Sequence, residues 1–153
     1  DVIYFSGEAG EIHVVRAGVR PILAVGREYR QVRRAIVAYN GSREAAMAMK
    51  RFAQSHPWPN IDLRIVGFGA VAEGHESDLD DAASYCRAHG FNVESARIVD
   101  KSPRDALDDE ARRWQADVVV MGSTSRGRIA RFVLGDTVLS MIQSADVPLF
   151  LSR

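Results

Sequence analysis

The chain has 153 residues, of which 46% are hydrophobic and 26% charged, enough for one domain with its own core. Lys plus Arg and Asp plus Glu balance at 20 each, which argues against nucleic acid or an anionic membrane as the main partner, because both select excess positive charge. The single cysteine, Cys86, excludes an internal disulfide or a cysteine metal site. With no apolar run near the roughly 20 residues of a membrane span and no signal-peptide pattern, the cytoplasm is the expected location.

In chain order, Asp1-Val-Ile-Tyr-Phe5 is a buried-strand type of run. A glycine-containing loop, a helix-like Glu11–Arg16 and a second apolar run, Val19–Val25, follow it. The closing segment repeats that order: Asp117-Val-Val-Val-Met121, a glycine loop, Val138–Ile142, then Asp146-Val-Pro-Leu-Phe-Leu151. Aligning Asp1 with Asp117 and Pro21 with Pro148 makes the first copy shorter, mostly in the loop. We read residues 1–28 as the C-terminal remnant of a preceding domain, 29–33 as a polar, basic linker and 34–153 as a complete second unit.

The second unit opens with a β-type run, Arg34–Tyr39, closed by Asn40-Gly41. Ser42 is a favourable N-cap, and Ala46, Met49 and Ala53 mark the buried stripe of a first helix. The prolines in His56-Pro-Trp-Pro-Asn60 require a loop, and Ile61–Val66 is a second strand. A loop over Gly67–Gly74 leads to a helix starting near Ser77, with Leu79, Ala82, Ala83 and Cys86 on its apolar face and Gly90 after its end. Phe91–Val99 alternates as a third strand. Ser102-Pro103 caps a third helix whose Leu107, Ala111 and Trp114 face the core. Its charge run, including Asp108, Asp109 and Glu110, reads as a solvated face with Asp108–Arg112 and Asp109–Arg113 pairs at i, i+4. Asp117–Met121 is the fourth strand, about Asp136 to Ser144 the fourth helix, and Val147–Leu151 the last strand. Pro148 places that strand at an edge, where its apolar sequence is expected to find a partner.

Alternating strands and helices predict an α/β fold with a parallel sheet covered on both faces. The histidines His13, His56, His75 and His89 lack metal-ligand spacing, and no serine sits in a nucleophile elbow. What remains are the loops at the carboxyl ends of the strands, where open parallel sheets bind ligands. Foremost is the loop that follows Met121 and ends at Gly135-Asp136-Thr137. Its glycines let backbone N–H groups approach an anion in front of a helix start, and they serve equally well as turn residues in a plain β to α connector. Both readings stand at this point.

Residues Arg34 to Arg153 resemble a universal stress protein domain. The resemblance rests on Val-Ala-Tyr-Asn-Gly-Ser at the end of the first strand, Ala-Asp-Val-Val-Val-Met-Gly-Ser from Ala116, Val-Leu-Gly before Asp136, and Val-Pro-Leu-Phe-Leu at the end. Residues 1–25 look like the end of a preceding copy, as in tandem members. The resemblance implies a three-layer open parallel sheet of strand order 3-2-1-4-5, adenine-nucleotide alpha-hydrolase-like, and a non-catalytic stress-response role. It also implies pairing of domains through the last strand, with Val147, Leu149, Phe150 and Leu151 against the preceding domain or a second copy, matched by Ile22 to Val25.

In many members the ligand is ATP or AMP, which maps here onto Ala38, Asn40, Val66, Met121, Gly122, Ser125, Gly135, Asp136 and Thr137. Nucleotide-binding members carry Gly-x2-Gly-x9-Gly-Ser/Thr. The spacing is kept from Gly122 through Ser125 to Gly135 and Asp136, but Ser125 replaces a glycine and Asp136 the hydroxyl residue. A carboxylate at Asp136 repels phosphate and caps the helix itself, leaving Thr137 to offer a hydroxyl. Asn40 replaces an aspartate, so the ribose contact loses its charge. Two alternatives stand beside a nucleotide module: a structural pairing domain without ligand, and a slow nucleotide hydrolase using Asp136.

Overall fold

A computed structural model describes residues 3–5 (backbone only), 21–25, 31–70, 77–122 and 147–152. The helix-like segment at 11–16, the loop after Gly122 and the fourth helix lie outside the described residues. The strands are β1 (Ile3–Phe5), β2 (Ile22–Ala24), β3 (Arg34–Ala38), β4 (Asp62–Phe68), β5 (Asn92–Ile98), β6 (Val118–Gly122) and β7 (Leu149–Ser152). The helices are α1 (Arg43–Ser55), α2 (Asp78–Ala88) and α3 (Pro103–Trp114).

All seven strands form one sheet in the order β1-β2-β7-β6-β3-β4-β5. Within the second unit this is the expected 3-2-1-4-5, every neighbouring pair parallel. β1 and β2 extend it beyond β7, and β2 joins β7 antiparallel. Alternate residues along each strand point to opposite faces. Val37, Ile65, Val120 and Phe150 therefore pack with Met49, Phe52, Leu79 and Cys86 of α1 and α2 on one side. Ile36, Val66, Val119 and Leu149 pack with Leu107 and Ala111 of α3 on the other. Phe52 is fully buried, 5.2 Å edge-on to Phe150 and 6.1 Å from Phe91. Burial leaves the Cys86 thiol neutral by pushing its pKa up to about 11.

The helix starts follow from their caps. Ser42 Oγ accepts from Ala45 N–H, and Ser102 Oγ from Asp105 N–H with Pro103 in the first turn. Ser102→Ala is expected to cost about 1 kcal/mol, read as a lowered urea midpoint; an unchanged midpoint would show that the cap contributes nothing. Gly90 takes the left-handed conformation expected after α2, with φ +86°. At the opposite end of the sheet from the strand-following loops, Asp117 Oδ2 accepts from both Arg33 and Arg34 N–H at 2.9 Å. That carboxylate pins the entry to β3 against the start of β6, and Val32 beside it is buried.

Three expectations need correction. Pro148 does not make β7 an edge: β7 lies between β6 and β2. The proline precedes the strand, so no ladder donor is lost, and its carbonyl accepts from Val119 N–H. β4 does not stop at Val66, because pairing of Gly67 with Arg97 and Phe68 with Ile98 carries it two residues further. The charge run of α3 is not uniformly solvated. Glu110 is 2% exposed, paired with Arg64 and Arg113, and Asp109 pairs with Lys101.

Candidate functional site

The site is built where β3, β4 and β6 end. Register places Ala38 opposite Val66, and Val37 opposite Val120 puts Ala38 level with Met121. These three expected site residues form one row across adjacent strands. All three face the α3 side, where Val66 and Met121 are buried and Ala38 packs against them. Tyr39 N–H donates to the Val66 carbonyl at 2.9 Å, closing the end of the row.

The next row faces the other way. Gly122, the last residue of β6, lies against the first turn of α1. A Cβ there would stand 2.5 Å from Glu44 C, 2.6 Å from its O and 2.7 Å from Ala45 N. Gly67 underlies Leu79 and Arg97. Tyr39 is half-buried against the α1–α2 cluster. Desolvation first, then the Asp78 and Asp81 carboxylates, hold its phenol above the ordinary range.

Asn40 is exposed beyond the strand end, and its Oδ1 accepts from Ser42 N–H at 3.1 Å in a local turn. Gly41, at φ +75°, turns the chain into α1, and a Cβ on it would meet Asp78 Oδ2 at 3.2 Å. The α2 start thus brings Asp78, Asp80 and Asp81 to this end of the sheet. Negative charge there disfavours an anion beside Gly41. Ser125, Gly135, Asp136 and Thr137 lie outside the described residues.

The described histidines have structural roles. His56 caps α1 and stands edge-on to Phe91 at 4.3 Å, and a His89 ring nitrogen lies 2.9 Å from the Tyr85 carbonyl. Among the described residues no group of three His, Cys, Asp or Glu is placed to hold a metal, and no helix is long and apolar enough to cross a membrane.

A polar cluster missed by sequence reasoning lies at the far end of β4. Arg64 Nε approaches Glu110 Oε1 to 2.7 Å off the hydrogen-bond axis, while Arg64 and Arg34 flank the Trp114 ring at 5.1 and 5.4 Å. The signal for it is weak: an arginine on an otherwise apolar strand and a glutamate next to Ala111 on a buried helix stripe.

The family model described as the universal stress protein family matches residues 67–153. The chain belongs to the universal stress protein family. A universal stress protein of Synechocystis is 21% identical over 142 residues, 92% of this chain and 49% of that protein. Among solved structures, a universal stress protein from Archaeoglobus fulgidus has a TM-score of 0.72 at 19% identity, covering 99% of this chain and 60% of its own. A universal stress protein in complex with cAMP has a TM-score of 0.60 at 21% identity, covering 81% and 99%. At those identities the structures establish the universal stress protein fold. This chain spans about half the length of the Synechocystis relative.

Proposed function

We propose that this chain is a non-catalytic regulatory module of the stress response that holds an adenine nucleotide, ATP or AMP, where β3 and β6 end. The observation that carries the reading is the row of Ala38, Val66 and Met121, an apolar floor level across three adjacent strands below the carboxyl-end loops that bind ligands in open parallel sheets. The similar universal stress protein in complex with cAMP supports an adenine ligand. A single buried cysteine fits a reducing compartment, and the cytoplasm is the proposed location.

Isothermal titration with ATP and with AMP, each with and without Mg²⁺, tests the site. Saturable heat at micromolar nucleotide is expected; silence at millimolar concentration overturns the reading. Asn40→Asp, at an exposed position, restores a charged acceptor and should tighten binding about fivefold, the effect of roughly 1 kcal/mol in one charge-assisted hydrogen bond. Equal affinities would remove Asn40 from the ribose contact.

A second reading is favoured by the antiparallel ladder of Ile22, Leu23 and Ala24 with Leu151, Phe150 and Leu149. In it residues 1–28 close a preceding domain, and the tandem units form a pseudo-dimer through their last strands. The two readings are compatible, since the ladder uses β7 and the nucleotide row uses β3, β4 and β6.

A further inference from the structure

β5 ends the strand order, with β4 as its one neighbour among the described residues. Gly69 N–H donates to the Ile98 carbonyl at 2.9 Å, so Ile98 and every second residue before it turn their main-chain groups toward β4. Val93, Ser95 and Arg97 therefore turn theirs outward, each offering a donor and an acceptor along the edge. One of those acceptors is taken. Arg87 reaches down from the last turn of α2, and its Nη2 donates to the Val93 carbonyl at 3.0 Å.

Symmetry and charge limit what can lie along this edge. A two-fold axis that continues the sheet into a second copy stands normal to it, runs the two strands antiparallel and pairs residues of like parity. Centring on Glu94 sets two carboxylates directly opposite each other, and centring on Arg97 two guanidinium groups; both are destabilising. Centring on Ala96 runs Val93 against Val99, which lies beyond the strand. Centring on Ser95 has none of these defects. It uses all of β5, with Glu94 opposite Ala96, Val93 opposite Arg97 and Asn92 opposite Ile98. Charge on α2 agrees with it. The helix starts at the Arg97 end of β5, where Leu79 and Arg97 meet over Gly67, so the acidic first turns with Asp78, Asp80 and Asp81 fall at opposite ends of the ladder.

In the Ser95 register the Val93 carbonyl accepts from the Arg97 N–H of the second copy. Arg87 already holds that carbonyl. We infer that the outer edge of β5 is a pairing surface for a second copy of this chain, held shut by Arg87. The guanidinium stands where the incoming strand would run, and its bond to the carbonyl is charge-assisted. Charged side chains are a common device for closing exposed strand edges. Growth of the sheet is thereby kept away from β5, and removing the guanidinium opens a self-complementary edge.

The test uses the whole chain. Arg87→Ala should tighten self-association in sedimentation equilibrium by about tenfold or more over wild type, and adding Ser95→Pro should return it to the wild-type level. Proline at this position removes an outward donor and leaves the β4 ladder whole, because the Ser95 N–H does not face β4. Residue-resolved hydrogen exchange locates the contact. At concentrations where Arg87→Ala is dimeric, its Val93, Ser95 and Arg97 amides should be protected, while the same amides of wild type exchange freely. Equal association of Arg87→Ala and wild type, or a dimer that survives Ser95→Pro, overturns the inference. So does faster exchange at Glu94 and Ala96 in Arg87→Ala, since those amides face β4 and their loss would mean that Arg87 holds β5 in place instead of guarding its edge.

Discussion

Gly122→Val is expected to lower the melting temperature by about 10 °C. A Cβ at this position meets the main chain of Glu44 and Ala45 at 2.5 to 2.7 Å. No rotamer change relieves a contact with backbone, so the first turn of α1 must move away from β6. That turn leads into Ala48, Met49 and Phe52, which are buried against Val120 and Phe150, and a close-packed core transmits the shift. Overpacking of this kind costs about 3 kcal/mol, and at this chain length each kcal/mol lowers the midpoint by roughly 3 °C. Thermal unfolding followed by circular dichroism measures it, and a midpoint within about 2 °C of wild type would refute the packing argument. Loss of nucleotide binding in this variant would then report on the fold, which is why Asn40 is the better probe of the ligand. The glycine that opens the candidate phosphate loop has a sufficient packing reason of its own, and the nucleotide reading must draw its support from the row beside it.

Local features were legible in the sequence because local chemistry decides them. Ser42 and Ser102 cap helices through their own side chains, Gly90 supplies a positive φ, and the apolar stripe of α2 is buried as its periodicity predicts. What escaped depends on partners distant in the chain. Gly67 looks like the start of a loop until Arg97 pairs with it. Pro148 signals an edge until β2 arrives on the far side of β7. Ala38, Val66 and Met121 were nameable only through family resemblance; that they form one row on one face follows from the register of three parallel strands. Glu110 sits among charged neighbours that disguise its burial, and only the return of Arg64 on β4 explains it.

Replacing Glu110 by Met should cost about 3 kcal/mol, and replacing Arg64 by Met in the same chain should recover most of that loss. Glu110 is 2% exposed and both its carboxylate oxygens are engaged, one near Arg64 Nε at 2.7 Å and the other by Arg113. Removing one member of a buried pair leaves a desolvated charge, which costs about 3 to 5 kcal/mol. The low end applies because Arg64 keeps Glu94 at 3.0 Å and a side chain 20% exposed. Two methionines fill similar volume and leave neither charge of the pair buried, while Arg34 stays over the Trp114 ring, and apolar replacements of buried pairs are close to neutral. Urea unfolding of the four proteins closes the cycle, with a coupling of at least about 2 kcal/mol expected for groups in contact. Strictly additive effects would mean that Glu110 is held by packing on α3 and not by Arg64. Coupling of the expected size would make this pair a tie between β4 and α3, holding the α3 layer to the sheet in the amino-terminal half of β4.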